Sequence, residues 1–353
     1  MTNEKIFNVV DDNGYYSHKL AHFDSTGAIR TMKFQTIIGT AQEAQSSLGG
    51  GLADMYETED GDRYVCNPHV RAPLSIRSKD YGTSVENRVL VNHGLVKLDL
   101  AGKKVRLATA LPMRDYYTST GQKNHELIDA QAENMRKPVY LALDENRQDK
   151  PIAIIKESRV LSEGVSALID YLINDDGSEA CDFDDLHAPM AVLDFGGSTF
   201  DVVAMTPELN ILQDSSGTLE RGTLDIRERF SELLLTHMKE YGVSMDKPAP
   251  WMIEQALSKG YVRTNINGEM TNIPVKEVLI KAAEPVVREL KKFAKEKLKE
   301  LRSYQHILLV GGGALLCESL FSDWVQEYGL QIRDEFANAR GMLKYITYLN
   351  PSH

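Results

Sequence analysis

Three apolar runs in this chain end on residues suited to holding phosphate: Val9-Val10-Asp11-Asp12-Asn13-Gly14, then Leu193-Asp194-Phe195-Gly196-Gly197-Ser198-Thr199, then Leu309-Val310-Gly311-Gly312-Gly313-Ala314. Glycine has no Cβ, so backbone N–H groups can approach an anion, and successive N–H groups in a turn form a concave nest for phosphate oxygens. Asp12 and Asp194 supply the hard oxygens that Mg²⁺ prefers, through waters the ion retains. Lys19, a little beyond the first turn, carries the positive charge that a transferring phosphoryl group requires. Singly, each motif has an ordinary reading: Asp-Asn-Gly makes tight turns without any ligand. Gly49-Gly50-Gly51 shows that a glycine triplet can be a plain connection. The recurrence behind strand-like runs is what points to a nucleotide.

Such turns need strands to present them. Residues 6–10 read as a strand entering a turn at Asp11-Asp12-Asn13-Gly14, and 20–23 as its returning strand. Residues 190–195 and 200–205 repeat that pattern, so the second half of the chain opens as the first does. Residues 307–310 read as a buried strand. Helical spacing is predicted over 84–97, 125–136, 162–173, 227–241 and 275–301, with a closing helix over 336–348. The Lys- and Glu-rich face of 275–301 reads as a solvated helix side. Residues 42–62, rich in Gly, Ser and acids, are predicted to be a mobile surface loop. The acidic stretch 174–185 is the expected boundary between halves. Two domains are expected, over 1–175 with 330–353 returning to it, and over 186–329.

At 353 residues, 42% of them hydrophobic, the chain can bury two cores. A formal net charge of −11 argues against a general nucleic-acid surface, so a link to DNA is expected only through a partner. No apolar run reaches membrane-spanning length and the N-terminus lacks a secretory pattern, which predicts a cytoplasmic protein without membrane contact. The three cysteines show no metal-ligand or disulfide spacing, and the nine histidines no paired ligand spacing; neither set is assigned chemistry.

The three motifs together resemble the actin superfamily of ATPases. Asp12-Asn13-Gly14 with Lys19 is similar to the first phosphate loop of actins, LDFGGSTFD (193–201) to the second, and HILLVGGGALL (306–316) to the adenosine loop. Within the superfamily, ATALPMRDYY (108–117), VLSEGVSAL (160–168) and FANARG (336–341) resemble the bacterial ParM/StbA plasmid-segregation family. The resemblance implies an α/β actin-like fold, two ribonuclease-H-like domains flanking a nucleotide cleft. It also implies ATP with Mg²⁺ as cofactors, GTP remaining open, and head-to-tail filaments whose disassembly is controlled by hydrolysis. The partner it implies is a DNA-binding adaptor assembled on a centromere-like plasmid site.

By the same resemblance Glu163, on the helix linking the domains, orients the attacking water, and with Asp12 and Asp194 makes the catalytic set. The nucleotide-binding set is Asp12, Asn13, Gly14, Tyr15, Tyr16, Ser17, Lys19, Asp194, Gly196, Gly197, Ser198, Thr199, Gly311, Gly312, Gly313 and Ala314. One departure stands out: relatives place small hydroxyl residues after the first-turn glycine, where this chain has Tyr15-Tyr16-Ser17, so backbone N–H groups and Ser17 are expected to substitute. Without the resemblance Glu163 is an ordinary helix-forming surface glutamate. The alternative on the same core is a sugar or acetate kinase, although no acceptor-site motif is visible.

Overall fold

The computed structural model describes residues 5–46, 53–143, 146–147 and 150–351. The chain divides into two compact units, Met1–Asp185 with Phe336–His353, and Leu186–Glu335.

The first unit begins with strands β1 (Ile6–Asn13), β2 (Ser17–Phe23), β3 (Ile29–Gln35) and β4 (Gly39–Thr40), then β5 (Met55–Thr58) and β6 (Arg63–Val65). Helix α1 (Val85–Lys97), β7 (Lys104–Leu111), α2 (Met113–Tyr116), α3 (His125–Arg136), β8 (Val139–Leu143), β9 (Asn146–Arg147), β10 (Ile154–Ser162) and α4 (Val165–Leu172) follow. The main sheet has the order β10-β7-β1-β2-β3, and β4-β6-β5-β8-β9 form a second, smaller layer. β1 pairs antiparallel with β2 and parallel with β7.

The second unit holds β11 (Met190–Phe195), β12 (Phe200–Met205), β13 (Gly217–Leu219), α5 (Thr223–Glu240), α6 (Pro250–Lys259), β14 (Tyr261–Ile266), β15 (Glu269–Pro274) and α7 (Lys276–Leu298). It ends with β16 (His306–Val310), α8 (Gly312–Leu316), α9 (Ser322–Tyr328) and β17 (Gln331–Ile332). Its sheet order is β13-β12-β11-β16-β17. β11 pairs antiparallel with β12 and parallel with β16, the connectivity that β1 has with β2 and β7. The chain then returns to the first unit as α10 (Ala337–Lys344), continued by a π-helical turn over Tyr345–Leu349.

Strand alternation sets the faces of the first sheet. Val9 packs into the core built on Leu90, Leu95 and Leu107, while Val10 packs into the one built on Met342, Leu343 and Ile346. The α1 side therefore receives Asp11 and Asn13, and the α10 side receives Asp12. Helices α4 and α10 approach so closely that a Cβ on Gly341 would lie 1.7 Å from the Ser166 carbonyl oxygen. Beside that contact the buried Asp170 carboxylate pairs with Arg340 at 2.8 Å and with Lys344 at 2.7 Å. Each charge taken from water there has a hydrogen-bonded opposite.

Several expectations need correction. Asp11, Asp12 and Asn13 do not form the first turn; they are ladder residues of β1, paired with Leu20, Lys19 and His18. The polar Asp-Asp-Asn run hides a strand whose side chains find partners inside the unit. The loop expected over 42–62 contains β5, whose Met55 and Tyr56 are fully covered. A short apolar pair among acids escapes a period-based reading. Gly49, Gly50 and Gly51 lie outside the described residues. Helix α4 starts at Val165, so Ser162 ends β10 and Glu163 sits in the turn between them, not on a helix. The β14–β15 hairpin and α6 were not anticipated. Asn267-Gly268, both at positive φ, and Pro250 with Gly260 at the two ends of α6 are the signals that mark them.

Candidate functional site

The first turn is the loop Gly14–Ser17, closed by the pair Asn13 and His18. Two of its carbonyls are tied down from the end of β3: Thr36 donates through Oγ1 to Gly14 O (2.7 Å) and through its backbone N–H to Tyr16 O (3.0 Å). Asp12 is 2% exposed and receives Lys19 Nζ at 2.8 Å. The cation expected to face phosphate is thus already beside the carboxylate expected to face Mg²⁺.

Asn13 is held internally. Its Oδ1 accepts from Ala110 N–H (2.8 Å) and its Nδ2 donates to Asn87 Oδ1 (3.3 Å). This amide fixes the end of β1 against β7 and α1. Tyr15 donates its hydroxyl to Ser78 O (2.8 Å) and packs its ring 5.2 Å from that of Tyr81. Burial, reinforced by the negative charges of Asp115 and Glu163, pushes the Tyr15 pKa up to about 12, so it keeps its proton. Tyr16 is half-buried and Ser17 is buried at the start of β2.

On the α1 face, behind Asp12 and Lys19, Asp11 and His18 meet. His18 Nδ1 lies 2.8 Å from Asp11 Oδ2, and His18 Nε2 lies 2.7 Å from the Tyr81 hydroxyl. Burial raises the Asp11 pKa, and the neighbouring His18 opposes that shift.

The second turn, Gly196–Thr199, lies between the paired Phe195 and Phe200 and closes with Gly196 N–H on Thr199 O at 3.0 Å. It is fastened from α5. Thr223 N–H donates to Gly196 O (3.1 Å) and Leu224 N–H to Gly197 O (2.9 Å). A Cβ on Gly222 would meet Gly197 O at 2.2 Å, which makes glycine obligatory there. Asp225 caps the same helix by accepting Gly222 N–H at 2.8 Å. Starting the helix at residue 227 missed this arrangement, although Gly-Thr followed by Asp225 is a helix-start signal. Ser198 Oγ is buried with no hydrogen-bond partner, so the turn holds an unsatisfied hydroxyl where a phosphate oxygen is expected. Asp194, 4% exposed, stands opposite Asp201 in the ladder, and Asp201 accepts from the Thr218 hydroxyl.

The third turn follows β16. Gly311 has φ +91°, and its Cβ would lie 2.5 Å from Phe195 O and 2.8 Å from Asp194 Oδ1. A Cβ on Gly313 would strike the Phe195 ring at 2.3 Å. These two glycines lock the third turn onto the second, whereas at Gly312 a Cβ would meet only Glu335 Oε2, at 3.6 Å. Gly312 is therefore the position with room beside it. Ala314 is fully buried in the core of the unit.

Glu163 is anchored through its backbone. Its N–H donates to Leu111 O (2.9 Å) and its carbonyl accepts from Val165 N–H (2.8 Å). The next residue, Gly164, takes φ +74° and donates its N–H to Asn338 Oδ1 at 3.0 Å. Among the described residues no cluster of three or more His, Cys, Asp or Glu is arranged for a metal ion. Single carboxylates such as Asp12 and Asp194 suit an ion held through its own waters rather than a protein cage. No helix among the described residues is long and apolar enough to cross a membrane.

Comparison with known proteins agrees with this architecture. Residues 7–173 match the family model for the plasmid segregation protein ParM, N-terminal, and residues 192–323 that for the archaeal actin homologue MreB-like, C-terminal. No curated protein matches in sequence. Among solved structures, a 15-stranded ParM filament from Clostridium botulinum is 19% identical with a TM-score of 0.70, covering 97% of this chain and 99% of that one. The archaeal actin homologue Ta0583 in complex with ADP is 17% identical with a TM-score of 0.70, covering 99% and 100%. Bacillus thuringiensis ParM with ATP is 15% identical with a TM-score of 0.62, covering 96% and 98%. The chain has an actin-like fold, with a ParM-type N-terminal domain over residues 7–173 and an MreB-like C-terminal domain over residues 192–323.

Proposed function

We propose that this protein binds ATP with Mg²⁺, GTP remaining open, and assembles head to tail into filaments whose disassembly is timed by hydrolysis. Its biological work is plasmid segregation, with DNA reached through an adaptor on a centromere-like site. The observation that supports this best is the duplicated hairpin: Asp12 and Asp194 each precede a glycine turn in two sheets of the same connectivity. A head-to-tail contact that does not close on itself generates a filament. The ParM filament match adds that the fold is compatible with such assembly.

In this reading the first and second turns hold phosphate oxygens through backbone N–H groups and Ser198, and Lys19 offsets phosphate charge. Asp12 and Asp194 would hold Mg²⁺, which would neutralise charge on the phosphates when bound. Asn13, Gly311 and Gly313 set the shape of the turns. Glu163 accepts a hydrogen bond from the attacking water and aligns it, an effect of positioning.

Right-angle light scattering of the purified chain with ATP and Mg²⁺, followed together with phosphate release, tests the reading. The expected result is polymer above a critical concentration. Glu163→Ala should assemble equally, yet release phosphate about a hundredfold more slowly and form longer-lived polymer. Turnover seen only after adding a sugar or acetate, without polymer, would make the protein a small-molecule kinase and sink the filament reading.

A further inference from the structure

β1 and β2 carry, on the face opposite Asp12 and Lys19, a fully covered chain of polar groups. Asp11, His18 and Tyr81 are 0%, 0% and 3% exposed. The imidazole bridges the Asp11 carboxylate and the Tyr81 hydroxyl, and its ring stacks on Phe34 with centroids 5.0 Å apart and planes 14° apart. Asp11 Oδ1, on the far side of that carboxylate, has no partner. A buried polar chain with one unsatisfied oxygen is costly compared with apolar side chains of the same size. None of its members is in the phosphate-binding set.

Its placement suggests what it does. Asp11 is the chain neighbour of Asp12 and His18 that of Lys19, so the relay grips both strands of the hairpin one residue from the functional pair. Tyr81 opens the short helical turn Tyr81–Thr83, which leads directly to Ser84, the residue capping α1. Tyr15, inside the first turn, reaches the same segment through Ser78 O and through its packing on Tyr81. Asn87 completes the connection, donating to Gly82 O (3.1 Å) while receiving Asn13. Any movement of the hairpin that repositions Asp12 and Lys19 moves Asp11 and His18 with it, because adjacent residues of a strand share one backbone.

We infer that Asp11, His18 and Tyr81 form a positioning relay that couples nucleotide occupancy of the first phosphate turn to the segment 78–84 at the start of α1. This rests on the nucleotide reading above and assigns that reading residues outside the binding set. His18 and Tyr81 are positioning residues: they act through Lys19, Asp12 and Tyr15 rather than by touching the ligand. The relay makes hairpin geometry and the position of Ser78 and Tyr81 a single variable, so a ligand that favours one setting of the hairpin also selects one setting of this segment.

The test uses the full chain labelled with ¹⁵N-histidine, the His18 resonances being identified by their loss in His18→Gln. Titration with Mg·ADP is read both by the histidine ring shifts and by fluorescence of a labelled ADP. The expected result is a shift of the His18 ring nitrogens that saturates with ADP binding. In Tyr81→Phe, which keeps the ring and removes the hydroxyl, the dissociation constant for ADP should rise about tenfold, the scale of one buried hydrogen bond. ADP binding with His18 unmoved, or with unchanged affinity in Tyr81→Phe, would overturn the relay while leaving the nucleotide reading intact. Absence of ADP binding by the unaltered chain would overturn that reading and the relay together. A purely structural role would lower stability without moving the His18 signals on ligand addition.

Discussion

Ser198 separates the cost of a side chain in the fold from its use in a site. Its buried hydroxyl has no partner within the protein, so folding bears the desolvation of that group without return. In Ser198→Ala the unliganded protein should unfold at the same or a slightly higher denaturant concentration, while the dissociation constant for ATP rises about tenfold. Paired urea melts and fluorescent-nucleotide titrations check both signs; a loss of stability with unchanged affinity would mark the hydroxyl as structural. Asn13 and Tyr15 make the contrast. Both belong to the first phosphate motif by sequence, yet both spend their side-chain hydrogen bonds on the protein itself.

At the scale of elements, the hairpins owe their form to glycines that act in different ways. Gly222 and Gly313 are needed because another group occupies the space of their Cβ, and Gly311 because φ is positive as well. Gly341 acts in the same way between helices, since α10 lies against α4 at the Ser166 carbonyl. Gly341→Ala should force these helices apart, costing about 3 kcal/mol or more as overpacking does. The change is measurable as a lower urea midpoint with an unchanged m-value. A midpoint equal to that of the unaltered chain would mean that the α4–α10 contact yields easily. The strand–turn–strand units were legible because an apolar run, a glycine turn and a second apolar run are neighbours in sequence. β5 was not, because Met55 is buried beside Val65, Val70 and Ala142, and Tyr56 in the core that includes Val89 and Leu90 of α1 with its hydroxyl on His93, partners that lie well outside the local sequence.

For the whole molecule, a ligand that binds only the folded state stabilises it by mass action. ATP with Mg²⁺ at a hundredfold excess over its dissociation constant should add about 2.7 kcal/mol, seen as a rise in melting temperature. Chelation of Mg²⁺ with EDTA should remove much of that rise, because the phosphate charge facing Asp12 and Asp194 is then uncompensated. A melting temperature indifferent to nucleotide, with and without Mg²⁺, would contradict the proposed site. The net charge of −11 disfavours direct contact with DNA phosphates.

Local pattern by itself determined the existence of the β1–β2 and β11–β12 hairpins, the strand before the third turn and most of the long helices. Hydrophobic period and glycine placement act over a few residues and need no distant partner. The resemblance of the motifs then gave the fold class. Which members of those motifs remain available to a ligand was decided only by the tertiary structure. Asn13 is held by Ala110, 97 positions away, and Tyr15 and His18 by Ser78 and Tyr81, each 63 positions away. A side chain's hydrogen-bond partner is set by how strands and helices pack, and residue type at one position carries no record of it.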